Sequence, residues 1–297
     1  MYTRSVCLFG CTLLIAVAMT ASVMAQAEST VAKSELPWMT DYGKAMLQAK
    51  AEGKMLLIAF CGDKTESFDA CLEPEILQDP EVQKQMESFL LLKLPNDVRV
   101  TIEEKEVQLL GHATFREMCN RAGIAMVDFR DETAKHYGSV VSTFPVLRNK
   151  PYNKDQFLTM LGLPAGTLTQ RTLVYAVRTH PEGPKSTEGT LSDYLTSEAL
   201  ASSDHQARIR LQGHHNWERR FHRISGRLPA GLQATEVCAE SWPHEGLLVA
   251  AIDCVRCWHY SSGHWRQVKA YHRLWGYDMR RGSNGIWYAT GIFSQQR

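Results

Sequence analysis

The stretch LLVAAIDCVRCWHYSSGHW, residues 247–265, decides how the chain is read. Its apolar residues at 247, 248, 251, 252, 255 and 258 advance in steps of three and four, the period of an amphipathic helix with one buried face. Ser261-Ser262-Gly263 follows the helical pattern, and His264-Trp265 comes directly after it. An imidazole is thereby placed at the corner where a helix gives way to a loop. It either lines a cavity or closes that corner.

Upstream of this corner, ATEVCAESW (234–242) holds Glu236 and Glu240, and Gly213 precedes His214-His215-Asn216-Trp217 and Arg219-Arg220. Ala207 and Leu211 give 201–213 a helical pattern of moderate quality. TLTQRTLVYAVRT (167–179) predicts a helix capped by Thr167 or Thr169 and stopped by His180-Pro181-Glu182-Gly183-Pro184. Downstream, Gly276–Asp278 reads as a turn and GIWYATGIF (285–293) as a terminal strand.

The N-terminal half has another rhythm. Asp41–Glu52 predicts a helix ended by Gly53, and Met55–Phe60 (MLLIAF) a short buried strand. Glu73–Phe89 reads as helix with a break near Asp79-Pro80, followed by strands at Leu90–Leu94 and Gly123–Phe129. Strands alternating with helices imply an α/β sandwich. Ahead of all this, Ser5–Met24 is apolar or small throughout, and Ala25-Gln26-Ala27 has the form of a cleavage site. Residues 1–27 are expected to be a signal peptide, the alternatives being a retained membrane anchor or a lipoprotein signal at Cys11. Export makes disulfides chemically accessible. The chain is expected in the periplasm or outside the cell, with no stable transmembrane span after cleavage.

The whole chain of 297 residues carries 33 Lys+Arg and 32 Asp+Glu, and a net charge of +1 gives no footing for a nucleic-acid binder. That balance hides an asymmetry. Residues 201–297 hold 13 basic and 7 acidic groups, whereas residues 28–200 are net acidic by six. Six of the seven tryptophans also lie beyond residue 200. The expected organisation is a first domain over 28–165 and a second over 166–297, with the join at Leu163-Pro164-Ala165-Gly166.

Over roughly residues 36–163, the pieces KAMLQAKAEGKMLLIAF, FDACLEPEILQDPEVQKQM, FLLLKLP and STFPV resemble secreted thioredoxin-like domains. The resemblance implies a Cys-x-x-Cys on a helix N-terminus facing a cis-proline loop. Cys71 fits the second cysteine, Phe68 stands in place of the first, and Pro145 fits the proline loop. A phenylalanine supplies no thiolate, so this site is expected to be a redox-silent scaffold. A further alternative is an atypical thiol-dependent chaperone acting through Cys71.

Over about residues 166–297, RTLVYAVR, GHHNW, ATEVCAE, WHYSSGHW and IWYATGIF together resemble the CAP superfamily of cysteine-rich secretory, antigen-like and pathogenesis-related proteins, in the style of its bacterial members. The resemblance implies an α–β–α sandwich with a central antiparallel sheet, and a cavity holding two histidines and acidic residues, in some members around a divalent metal. The expected fold class is therefore α/β plus α+β. His264 fits the C-terminal histidine, His214 the earlier one with His215 as its alternative, and Glu236 the glutamate, with Glu240 a weaker second carboxylate. Thr235 and Val237 depart from the glycine and asparagine of the family's segment.

Imidazole with carboxylate suits Zn or a related divalent ion, although spacings of 22 and 28 positions require folding to unite the ligands. Glu236 has a competing reading, a salt bridge to Arg219, Arg220 or Arg223. Trp217, Trp258, Trp265 and Trp287 read as core or cavity wall. Cys254 and Cys257 sit one helical turn apart, which reads as packing in an apolar helix or as one partner of a disulfide to Cys238. The function so implied is a noncatalytic binding protein for an extracytoplasmic protein, lipid or envelope ligand. The alternative is a metal-assisted hydrolase or envelope-processing enzyme using His214, Glu236 and His264.

Overall fold

The structure, a computed structural model, describes residues 36–62, 68, 70–73, 75–102 and 104–297. The expected signal peptide and Cys11 lie outside the described residues. The fold is mixed α/β. It runs β1 (Trp38–Met39), α1 (Tyr42–Glu52), β2 (Met55–Phe60), α2 (Pro80–Met86), β3 (Phe89–Leu94), β4 (Arg99–Ile102), β5 (Lys105–Gln108), β6 (Gly123–Asp128), β7 (Val140–Pro145) and α3 (Lys154–Leu161). There follow α4 (Leu168–Arg178), β8 (Thr190–Leu191), α5 (Asp193–Ile209), α6 (Trp217–Ser225), β9 (Leu232–Glu240), α7 (Leu247–Tyr260), α8 (Ser262–Lys269), β10 (Leu274–Arg281) and β11 (Trp287–Gln296).

The first sheet has the order β1-β3-β2-β6-β7. β3 pairs in parallel with β1 and β2, whereas β6 is antiparallel to both β2 and β7. Every residue of MLLIAF is buried, as its apolar run demands, because both faces of β2 are covered. Leu56, Ile58 and Phe60 meet Ala45 and Ala49 of α1, and Leu57 and Ala59 face the opposite core. Asp41 caps α1 by accepting from the Lys44 amide, and Gly53 ends it in the left-handed region at φ 59°. The break expected near Asp79-Pro80 within Glu73–Phe89 is present, and the correction is confined to the part before it, which is not α-helix. Only a 3-10 turn at Ile76–Gln78 precedes α2, because Asp79 caps a new helix and Pro80 has no amide to continue the old one.

The second sheet has the order β8-β10-β11-β9, with the last three strands antiparallel. Alternation sorts its faces. Val237, Ala239, Trp287, Ala289 and Phe293 join the core with α4 and α7, while Ala234 and Ile292 pack with Leu195 and Ala199 of α5 and Ile224 of α6. Thr167 is the cap of α4, in a reciprocal capping box with Gln170. Residues 276–278 are the second correction, being strand and not turn. Gly276 lies within β10 because α5 crosses there, and a Cβ would come within 2.2 Å of the Thr196 amide nitrogen.

Leu36–Arg297 form one compact unit. One apolar cluster runs from β2 and β6 through α3, α4 and α7 into β9, β10 and β11. Arg171 of α4 is 1% exposed within this layer and donates to Ser142 Oγ at 2.7 Å and to the carbonyls of Leu163 and Pro164. Burial holds its guanidinium well below the ordinary arginine range, at about 9. On the surface Glu182 accepts from His259, Trp265 and Lys269, lashing the 180–184 loop to α7 and α8. These bonds hold its carboxyl down at about 2. Among the described residues no helix is long and apolar enough to cross a membrane.

Candidate functional site

β9 carries Glu236 and Cys238 on the sheet face that meets α5 and α6, because residues two apart share a face. His214 stands in the loop between α5 and α6, where Gly213 adopts positive φ. α8 brings His264 from the other side. The three residues expected from the sequence come together, but in a line. His214 Nδ1 lies 3.0 Å from Glu236 Oε2, and His214 Nε2 lies 3.0 Å from His264 Nε2.

This line has a chemical direction. A carboxylate only accepts, so Nδ1 of His214 carries the proton and donates to Glu236. In the neutral ring Nε2 then presents its lone pair toward His264. Glu236 is itself held on every side. Arg220 donates to Oε1 at 2.5 Å, Ser202 donates to the same oxygen at 3.2 Å, and the side chain has no exposed surface. The salt-bridge reading and the cluster reading of Glu236 therefore both hold, with Arg220 the partner. His264 is held below its ordinary pKa by burial first and then by the neighbouring His214.

Two groupings offer metal-ligand chemistry. The facing Nε2 atoms are 3.0 Å apart with ring centroids at 5.3 Å, so the rings meet head-on at hydrogen-bond distance, and an ion held at ~2.0–2.1 Å by both would need the two rings to part and turn toward it. The second grouping is His214, Glu236 and Cys238, whose ligand atoms lie within 4.8 Å of one another. Its donors are already engaged. His214 Nδ1 and Glu236 are bonded to each other, and burial pushes the Cys238 thiol well above its ordinary range, keeping it protonated. Glu236 thus orients an imidazole, which leaves the two Nε2 atoms as the outward donors of the line.

The remaining expected residues lie apart from this line. His215 turns away, its Nε2 at 3.1 Å from the Leu211 carbonyl and its ring against His205. Glu240 is exposed at the end of β9, four residues beyond Glu236 and so ~13 Å along the strand. Cys238, Cys254 and Cys257 are thiols here. The sheet stands between them, since Cys238 faces α5 while α7, which bears the other two, packs on the opposite face of β9. Cys257 instead donates to the Glu240 carbonyl. Trp258 and Trp287 are core residues, 0% and 4% exposed.

In the N-terminal half, Cys71 is fully buried in a turn, with its Sγ 4.0 Å from that of Cys61. Phe68 packs against Trp38 in a tilted pair with ring centroids 4.6 Å apart, and the Lys93 ammonium lies over its ring. The Phe144–Pro145 peptide is trans, which corrects the cis-proline expectation, since β7 continues in register through Pro145 opposite Gly123. Tyr152 ties this proline to Cys71, its hydroxyl donating to the Pro145 carbonyl and its amide to the Cys71 carbonyl.

Sequence reasoning missed Ser202, Gln206 and Cys238 as neighbours of the line. The signal for Cys238 was present, because a strand that buries Glu236 on one face must place residue 238 on that same face. Set against known proteins, the chain matches no family model and no curated protein, so the geometry of this site carries its functional reading.

Proposed function

We propose that the chain is an exported binding protein whose C-terminal half presents a divalent metal ion on the paired imidazoles of His214 and His264. The observation that carries this is the facing of two Nε2 atoms at 3.0 Å, with Glu236 behind His214 fixing which nitrogen is free. A metal bound there would supply a Lewis-acidic contact point for a donor group on a partner. The three antiparallel strands with helices on both faces support a CAP-like reading of residues 166–297. The mixed five-stranded sheet supports a thioredoxin-like reading of residues 28–165 as a scaffold. Buried Cys71 and aromatic Phe68 favour that scaffold over thiol turnover.

Binding is preferred to hydrolysis on one ground. A hydrolase using this cluster needs a base beside the metal-bound water. Glu236 is enclosed by Arg220, Ser202 and His214 and does not reach the mouth.

The test is cobalt titration of chelator-stripped protein, followed by visible absorption. One equivalent is expected per chain, lost in His214→Ala and His264→Ala and retained in His215→Ala. Glu236→Gln is expected to weaken it about tenfold through the lost orienting bond. A chain that takes up no cobalt, or an H264A variant that still takes up one equivalent, would overturn the reading.

A further inference from the structure

Between α5 and α6 lies an open hollow of about 480 Å³ whose lining includes His205, Arg208, His215, Arg219, Arg220 and Arg223. Its composition follows from helical spacing. Positions 201, 202, 205 and 208 lie on one face of α5, and positions 216, 219, 220 and 223 on one face of α6. Four guanidinium groups and two imidazoles therefore face one cavity whose lining contains no carboxylate.

The carboxylates nearby answer three of the four arginines from outside it. Glu236 takes Arg220, Glu198 takes Arg223 at 2.6 Å, and Asp204 meets Arg208 at 3.5 Å on the surface. Arg219 has no ion-pair partner among the described residues. Arg220 Nη2 is buried and has no hydrogen-bond partner among them either. A buried guanidinium N–H without an acceptor is unfavourable, and like charges brought together on two helices repel. An oxyanion seated in the hollow relieves the repulsion and gives Arg219 a partner.

We propose that this hollow binds a phosphate monoester, with Arg219 and Arg208 as its ligands. Guanidinium forks match tetrahedral oxyanions through paired N–H donors, and a dianion answers more than one arginine. The volume exceeds what a bare phosphate fills, and the polar lining calls for a hydroxylated body such as a glycerol or sugar unit. Free esters and lipid headgroups share this chemistry. The site is independent of the metal reading, since it uses neither His214 nor His264.

Calorimetric titration of the full chain with glycerol 3-phosphate, beside sedimentation with phosphatidic-acid vesicles, tests the site and its source. Binding of the soluble ester supports a free ligand, and binding of vesicles alone supports a headgroup. Arg208→Ala with Arg219→Ala is expected to weaken whichever binding is seen by ~10-fold or more at low salt, with helicity and melting unchanged. His264→Ala is expected to leave it intact. Absence of binding in both arms, or equal affinity in the double variant, would overturn the proposal.

Discussion

His214 holds the site together because its two nitrogens have different tasks, one donating to a buried carboxylate and one turned to a second imidazole. His264, the outer member, is the group whose titration should be felt. Its folded pKa lies below the ordinary histidine value of 6.5, chiefly from burial. The unfolded chain therefore takes up the proton more readily, so stability is fully present above 6.5 and falls as pH drops from there toward the lowered folded value. In urea unfolding of chelator-treated protein, wild type should lose more stability than His264→Gln between neutral pH and pH 5. Parallel pH profiles would refute this. The identities of His214, Glu236 and His264 were legible in the order of short segments. Their linear arrangement was not, because spacing says nothing of which ring nitrogen faces which neighbour. Nor did it show that Arg220 both binds Glu236 and lines the hollow between α5 and α6.

Periodic elements were read well where one face is buried and capped. α4 begins after Thr167, and α7 spans the stripe from Leu247 onward. Elements set by tertiary contact were misread. Gly276 has the local look of a turn, yet it is strand because a helix backbone lies against it, a fact written in no neighbouring residue. Gly276→Ala should therefore act through close packing and not backbone freedom. Its Cβ would collide with the main chain of Leu195 and Thr196, and α5 would have to lift from the sheet. A loss of about 3 kcal/mol in chemical denaturation is expected. A change under about 0.5 kcal/mol, the size of an ordinary surface substitution, would mean α5 is not seated there.

Across the molecule, one apolar cluster passes through both sheets, and Arg171 is buried between them. Residues 36–297 should therefore melt in a single transition. Arg171→Met should move that transition down by about 2 kcal/mol without dividing it, because the carbonyls of Leu163 and Pro164 lose their donor. Two resolved transitions in wild-type calorimetry would contradict this. The opposite charges of the two halves and the Pro-Gly join were visible in the sequence, whereas the shared cluster is a product of folding. The strand order of the second sheet has its own consequence. β11 sits between β10 and β9, so the strand bearing Glu236 is attached to its sheet only by the segment furthest along the chain. A fragment that stops short of Trp287 leaves β9 with no neighbour. Premature termination or tail clipping should therefore yield an inert product and never a partly working one.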